Sequence, residues 1–95
     1  MATVTYDTTC FLCHSPAKAR DTDYGNRRMY RCSTCGEYEI SRTAMGRIND
    51  SLAFKAQASI AAAAVAAPDQ IYEIIVEGQS FEVVGRVVRR RTELR

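Results

Sequence analysis

The sequence predicts an α+β fold built from three consecutive parts. Residues 1–40 contain two Cys-x-x-Cys pairs among short runs of alternating polar and apolar residues, which predict β-hairpins. Residues 41–67 are rich in alanine and predict a helical middle, and residues 70–91 predict a C-terminal antiparallel β-hairpin with a basic end. Because the chain has 95 residues, we expect these parts to form one small domain over residues 1–95.

The two cysteine pairs account for all four cysteines of the protein, Cys10 with Cys13 and Cys32 with Cys35. Eighteen residues separate the two pairs. A Cys-x-x-Cys turn brings two sulfurs close enough to hold one metal ion, and two such turns supply the four thiolates that Zn²⁺ prefers in structural sites. We therefore expect one structural zinc ion, with no coordination position left for water.

Other chemistries of these cysteines stay open on the sequence alone. Two disulfides would need an oxidising compartment, and residues 1–7 show neither the basic start nor the apolar core of a signal peptide. A thioredoxin-like redox pair would need only one Cys-x-x-Cys motif. Cys10 to His14 also matches the haem-attachment pattern, which would leave the second pair unexplained. His14 could replace a cysteine as ligand, or lie beside the metal turn without binding.

Short strands are predicted around the cysteine turns. Residues 1–9 predict an edge strand, whereas the density of turn-forming residues over 15–26 predicts a loop. Residues 27–31 and 36–40 alternate polar and apolar side chains and predict a hairpin across the second turn. We expect a positive φ at Gly36, which follows the last cysteine.

With these strands, residues 10–40 resemble a zinc ribbon, in which two cysteine turns on β-hairpins share one zinc ion. The stretch Tyr-Arg-Cys-Ser-Thr-Cys-Gly-Glu-Tyr-Glu-Ile-Ser over residues 30–41 is similar to small zinc ribbons at the start of many bacterial and phage proteins. The resemblance implies the four cysteine ligands and little more. Zinc ribbons serve transcription, translation, nucleic-acid enzymes and protein assembly alike, so this fold does not define a function.

The alanine-rich segment predicts two helices. Ser41 is a suitable N-cap for a short helix over residues 42–49, and residues 52–67 predict the longest helix, which Pro68 ends. This second helix contains nine alanines, and Lys55 is its only charge. A helix that is apolar on every side is normally buried, so it either lies on the C-terminal hairpin or also contacts a protein, including a second copy. The side chains predicted for such a contact are Phe54, Ala58, Ala61 and Val65.

The C-terminal β-hairpin is predicted from two β-rich runs, residues 71–77 and 80–88, which flank Gly78-Gln79. A two-residue loop would pair Val76 with Phe81, Ile74 with Val83 and Tyr72 with Gly85. That face is apolar, and we expect it to cover the alanine-rich helix.

Two groups of arginines are candidates for contact with a partner, namely Arg27, Arg28 and Arg31 in the predicted ribbon and Arg86, Arg89, Arg90 and Arg91 at the end. Arginine binds phosphates bidentately. The same side chains could instead pair with nearby glutamates or remain solvated. The formal net charge of +2 treats the cysteines as neutral. Four thiolates around Zn²⁺ carry a net charge of about −2, so net charge does not favour nucleic-acid binding.

No Gly-rich phosphate loop, Ser-His-Asp arrangement, open metal position or evident small-molecule substrate marks the sequence, so we expect a protein that is not an enzyme. The first hypothesis is a protein-binding adaptor or inhibitor, and the ribbon resemblance is compatible with a phage or mobile-element protein. The alternative is a nucleic-acid-binding zinc ribbon that uses its arginines on phosphates. No apolar run reaches the roughly 20 residues of a membrane span, and we expect a cytoplasmic protein.

Overall fold

A computed structural model describes residues 5–22, 25–77 and 82–89. The elements in chain order are β1 (Tyr6–Thr9), β2 (Pro16–Thr22), β3 (Arg27–Cys32), β4 (Gly36–Ser41), α1 (Arg42–Ile48), α2 (Leu52–Ala63), β5 (Gln70–Glu77) and β6 (Glu82–Arg89). The six strands form one sheet in which their spatial order follows their order in the chain. Neighbouring strands are antiparallel except β4 and β5, which are parallel.

This architecture corrects the predicted fold class. The prediction of a helical middle between two separate β regions was wrong, because one continuous six-stranded sheet joins both regions. The predicted alanine-rich helical segment over residues 41–67 is reduced to two short helices of seven and twelve residues. Parallel strands cannot be joined by a tight turn, so α1 and α2 serve as the crossover connection from β4 to β5.

The strand β2 replaces most of the loop that was predicted over residues 15–26. It pairs with β1 on one side and with β3 on the other. Its burial alternates over Pro16–Ala19, with Ala17 and Ala19 inside and Lys18 outside. Alanine and charged residues have low β-propensity, so the strand is stabilised by pairing on both sides and not by its own composition.

Both helices cover the same face of the sheet. Ser41 caps α1 and Ser51 caps α2, because each hydroxyl accepts a hydrogen bond from a backbone N–H three residues on, at 3.1 Å and 3.3 Å. The buried cluster contains Ala44, Ile48, Ala58 and Ala62 from the helices and Tyr38, Ile40 and Ile74 from the sheet. We call this side the helix-covered face and the other side the open face. Within the described residues, neither helix has the length and apolar character that a membrane span requires.

The β5–β6 hairpin keeps the predicted face but not the predicted register. The observed pairs are Val76 with Val83, Ile74 with Gly85 and Tyr72 with Val87. Glu77 pairs with Glu82, so four residues and not two separate the last paired positions. Because the slip is two residues, the same side chains stay on the same face. The predicted partner of Val76, Phe81, lies outside the described residues.

The side chain of Tyr72 lies directly over Gly85 on the neighbouring strand, and a Cβ atom at Gly85 would overlap the phenol ring. We therefore expect Gly85→Ala to lower the free energy of unfolding by about 1–3 kcal/mol, measured by urea denaturation. The matched control is Gly46→Ala in α1, where a Cβ would meet nothing within 4 Å. That change should stabilise the protein by about 0.5–1 kcal/mol. Equal effects of the two substitutions would contradict the predicted overlap.

Candidate metal centre

The four cysteines meet at one end of the sheet. Cys10 and Cys13 lie in the turn between β1 and β2, and Cys32 and Cys35 lie at the turn between β3 and β4. In a sheet whose strands follow chain order, these two antiparallel turns lie at the same end. The four Sγ atoms are all within 4.8 Å of one another. The predicted clustering of the cysteines is therefore confirmed.

The spacing of the sulfurs fits one tetrahedral metal ion. Sγ of Cys10 lies 3.8 Å from Sγ of Cys35, and Sγ of Cys13 lies 3.4 Å from Sγ of Cys32. Tetrahedral zinc with Zn–S bonds of about 2.3 Å places its sulfurs about 3.8 Å apart. A set of four sulfur donors suits Zn²⁺ or iron and is a poor match for Mg²⁺ or Ca²⁺. The four cysteines are thus positioned to bind one metal ion.

Each cysteine turn is followed by a residue with positive φ. Gly36 has a φ of 81°, which confirms the prediction at this position, and His14 has a φ of 65° at the equivalent place after Cys13. The backbone N–H of Thr34 donates to Sγ of Cys32 at 3.4 Å. His14 is exposed and does not belong to the sulfur cluster. His14 therefore contributes the positive φ that this turn requires, a role that the sequence analysis did not anticipate.

Two hydroxyl groups contact the ligand sulfurs. Tyr38 Oη lies 3.2 Å from Sγ of Cys10, and Ser59 Oγ lies 2.9 Å from Sγ of Cys35. When the cysteines are thiolates, both hydroxyls donate to them and orient them, as groups around metal ligands commonly do. Tyr38 is fully buried and stacks on Tyr30, with ring centroids 5.2 Å apart. The sequence analysis did not identify the contact of Ser59, whose only signal is its polarity in an apolar helix.

The only charged residue of α2 is also next to the cysteine turns. Lys55 is 5% exposed, and its ammonium lies 4.6 Å from the ring centroid of Phe11. Phe11 follows Cys10 in the first cysteine turn. Lys55 and Ser59 are four residues apart, so they share one face of the helix. Four thiolates and one divalent ion carry a net charge of about −2. The positive charge of Lys55, on the face of α2 that carries Ser59, is opposite in sign to that charge.

The thiols differ in how readily they lose a proton. Burial raises the pKa of Cys10 and of Cys35. Burial acts in the same direction at Cys13, but hydrogen bonds from Ser15 and from neighbouring thiols outweigh it and lower the pKa of Cys13 to about 6. Metal binding requires all four cysteines to be deprotonated, so it releases protons from the buried thiols and weakens as the pH falls.

Most of the arginine candidates in the described residues form ion pairs. Arg27 Nη1 lies 2.6 Å from Glu73 and 3.3 Å from Glu39. The remaining pairs are Arg28 with Asp21 at 3.1 Å, Arg31 with Glu37 at 2.8 Å, and Arg86 with Glu73 at 3.3 Å and Glu77 at 3.2 Å. Arg89 is exposed at the end of β6, and Arg90 and Arg91 lie outside the described residues. The described arginines therefore lie largely within a network of carboxylates.

The side chains that were predicted for partner contact lie on the side of the helix that faces the protein interior. Ala58 is 2% exposed and belongs to the core, and Phe54, Ala61 and Val65 are half-buried. The exposed large side chains of α2 are Leu52, 74% exposed, and Ile60, 72% exposed. The side of α2 that faces solvent therefore carries a different set of apolar side chains, which the sequence analysis did not select for partner contact.

Comparison with known proteins finds no matching family, curated protein or solved structure. The likeness to a zinc ribbon therefore depends on the four-cysteine geometry alone.

Proposed function

We propose that the protein is a non-enzymatic structural-zinc protein that acts by binding another protein, as an adaptor or an inhibitor. Its contact surface is the outer stripe of α2, which we define as Leu52, Ala56, Ile60 and Ala63. All four residues are exposed. Their spacing places them on one side of the helix. The observation that carries this proposal is the exposure of two large aliphatic side chains on that stripe.

A closed metal site supports a structural role for zinc. The chain itself offers four sulfurs, which complete a tetrahedral site and leave no position for a reacting water. Tyr38 and Ser59 contact two of those sulfurs from the sheet and from α2. The metal would thus hold the inner side of α2, which carries Ser59, against the sheet, while the outer stripe faces solvent.

The composition of the outer stripe indicates its partner. It carries no charge, and its alanines allow another backbone to approach closely. A second apolar helix is the best complement, and α2 of a second copy has the required composition. Arg27, Arg28 and Arg86 each pair with a carboxylate, which favours protein contact through α2 over a nucleic-acid contact through these three arginines.

We expect the metal-loaded protein to form a dimer whose molar mass, measured by light scattering, hardly changes between low and high salt, because apolar contacts are not screened. Ile60→Glu should convert it to a monomer. Gln57→Glu adds the same charge at an exposed polar position of α2 and should leave the dimer largely intact. Unchanged metal content confirms folding of each variant. A wild-type protein that stays monomeric at high concentration would refute the second-copy assignment.

A further inference from the structure

A cavity of about 310 Å³ opens on the open face of the sheet, away from both helices and from the outer stripe of α2. Its lining includes three cationic side chains, Lys18, Arg20 and Arg31, together with Met29 and the carboxylate of Glu37. Three positive charges against one negative charge make the lining basic. The carboxylate of Asp7, which does not line the cavity, also pairs with Lys18.

Strand register brings the cations together. Lys18 on β2 lies directly opposite Arg31 on β3, and Arg20 lies two residues beyond Lys18 and so on the same face. Like charges in directly opposite positions destabilise a sheet. Lys18 pairs with Asp7 on β1, and Arg31 pairs with Glu37 on β4, so each of these two pairs is made on the side away from the other cation. An anion placed between Lys18 and Arg31 would therefore be attracted by both.

The ion pairs at this cavity are exposed. The Lys18 and Asp7 side chains are 60% and 85% exposed, and those of Arg31 and Glu37 are 74% and 25% exposed. Exposed ion pairs contribute little to stability, so Lys18 and Arg31 can turn toward a ligand at small cost. Arg27 differs, because the two carboxylates that it bridges are 5% and 11% exposed.

We propose that this cavity binds the phosphate group of a nucleotide, with Arg31, Lys18 and Arg20 on the phosphate and Met29 against the base. The planar guanidinium matches phosphate geometry through paired hydrogen bonds. The cavity volume lies at the lower end of the range of small-ligand pockets, about 300–1,000 Å³. Arg20 Nη2 lies 3.6 Å from Sδ of Met29, which places an apolar, polarisable surface beside the cations. The nucleotide could be free or part of a nucleic-acid strand.

The test is calorimetric titration of the metal-loaded protein at low salt with AMP, adenosine and a single-stranded ten-nucleotide thymidine oligomer. We expect AMP or the oligomer to bind with a Kd below about 1 mM and adenosine, which has no phosphate, not to bind. Arg31→Gln and Lys18→Gln should each weaken binding by about tenfold or more, because each removes a charged hydrogen-bond donor. The matched control is Arg89→Gln, which removes the same charge from the end of β6 and should leave Kd within about twofold.

Binding of AMP without the oligomer would support a free nucleotide, and binding of the oligomer would support a nucleic-acid strand. The proposal is overturned if neither probe binds, if adenosine binds as tightly as AMP, or if Arg89→Gln weakens binding as much as Arg31→Gln does. Metal content and the circular dichroism spectrum of each variant establish that it is folded. Because the two surfaces are separate, the molar mass of the protein is expected to be the same for all three variants.

Discussion

Removal of the metal is expected to unfold the cysteine end of the sheet and to release α2. Structural zinc supplies an apparent binding free energy of about 10–16 kcal/mol in small domains, which is as large as the roughly 5–15 kcal/mol that stabilises a whole domain. The centre ties the β1–β2 turn to the end of β3 and the start of β4. We expect one equivalent of zinc per chain by elemental analysis, and loss of the circular dichroism signal when a chelator removes it.

Substitution of one ligand gives the same test without a chelator. Cys35→Ser is expected to lower Tm by more than about 10 °C, because the fully buried Cys35 contacts both Cys10 and Ser59. The matched control is His14→Asn, because asparagine tolerates the positive φ of this turn residue. That variant should keep one equivalent of metal. A chelator-treated protein with an unchanged spectrum would contradict the structural role, and iron in place of zinc would contradict the choice of metal alone.

One side of α2 faces the candidate metal centre, and the opposite side carries the outer stripe. Ser59 and Lys55 face the cysteine turns, and Leu52 and Ile60 face solvent. A helix of twelve residues is marginal in isolation even when it is rich in alanine. The proposed protein-binding surface therefore depends on the same contacts that orient the four candidate metal ligands.

The part of this structure that the sequence predicts well is local. Two Cys-x-x-Cys turns need only their own residues to bring sulfurs together, and Gly36 marks a backbone position that disfavours other residues. The caps at Ser41 and Ser51 are local in the same sense. Pairing of Glu37 and Glu39 with ribbon arginines was also predictable, because alternation placed both sets on one face of adjacent strands.

Apart from the register of the β5–β6 hairpin, the wrong predictions concern contacts between distant segments. The parallel pairing of β4 with β5 joins residues more than thirty positions apart, and no periodicity in either strand specifies it. Alanine propensity predicted a helix to Ala67, yet α2 ends at Ala63, one residue beyond the last alanine that packs on the sheet. High helix propensity alone does not extend a helix beyond the residues that pack against the sheet. The contact of Ser59 with Cys35 depends on that same packing, so the polarity of Ser59 alone did not identify its partner.

Arg27→Ala is expected to destabilise the protein by about 1.5–3 kcal/mol, because it removes the charged donor that bridges two buried carboxylates, of which Glu73 keeps the half-exposed Arg86 as a partner. Arg27 on β3 reaches across β4 to Glu73 on β5, at 2.6 Å, and also contacts Glu39 on β4. The side chains of Glu39 and Glu73 are 5% and 11% exposed. The β4–β5 junction that Arg27 spans has only three paired positions. Urea denaturation of the metal-loaded protein measures the loss.

The matched control for Arg27 is Arg31→Ala on the same strand. Arg31 also pairs with a glutamate, but its side chain is 74% exposed, so its removal should cost only about 0–1 kcal/mol. The double variant Arg27→Ala, Glu73→Gln should lose less stability than the sum of the two single variants, because both substitutions remove the same ion pair. Equal losses for the two arginines would mean that burial of Glu39 and Glu73 does not control the energetics. Unequal losses would identify Arg27 as the residue that joins the metal-binding half of the sheet to the C-terminal hairpin.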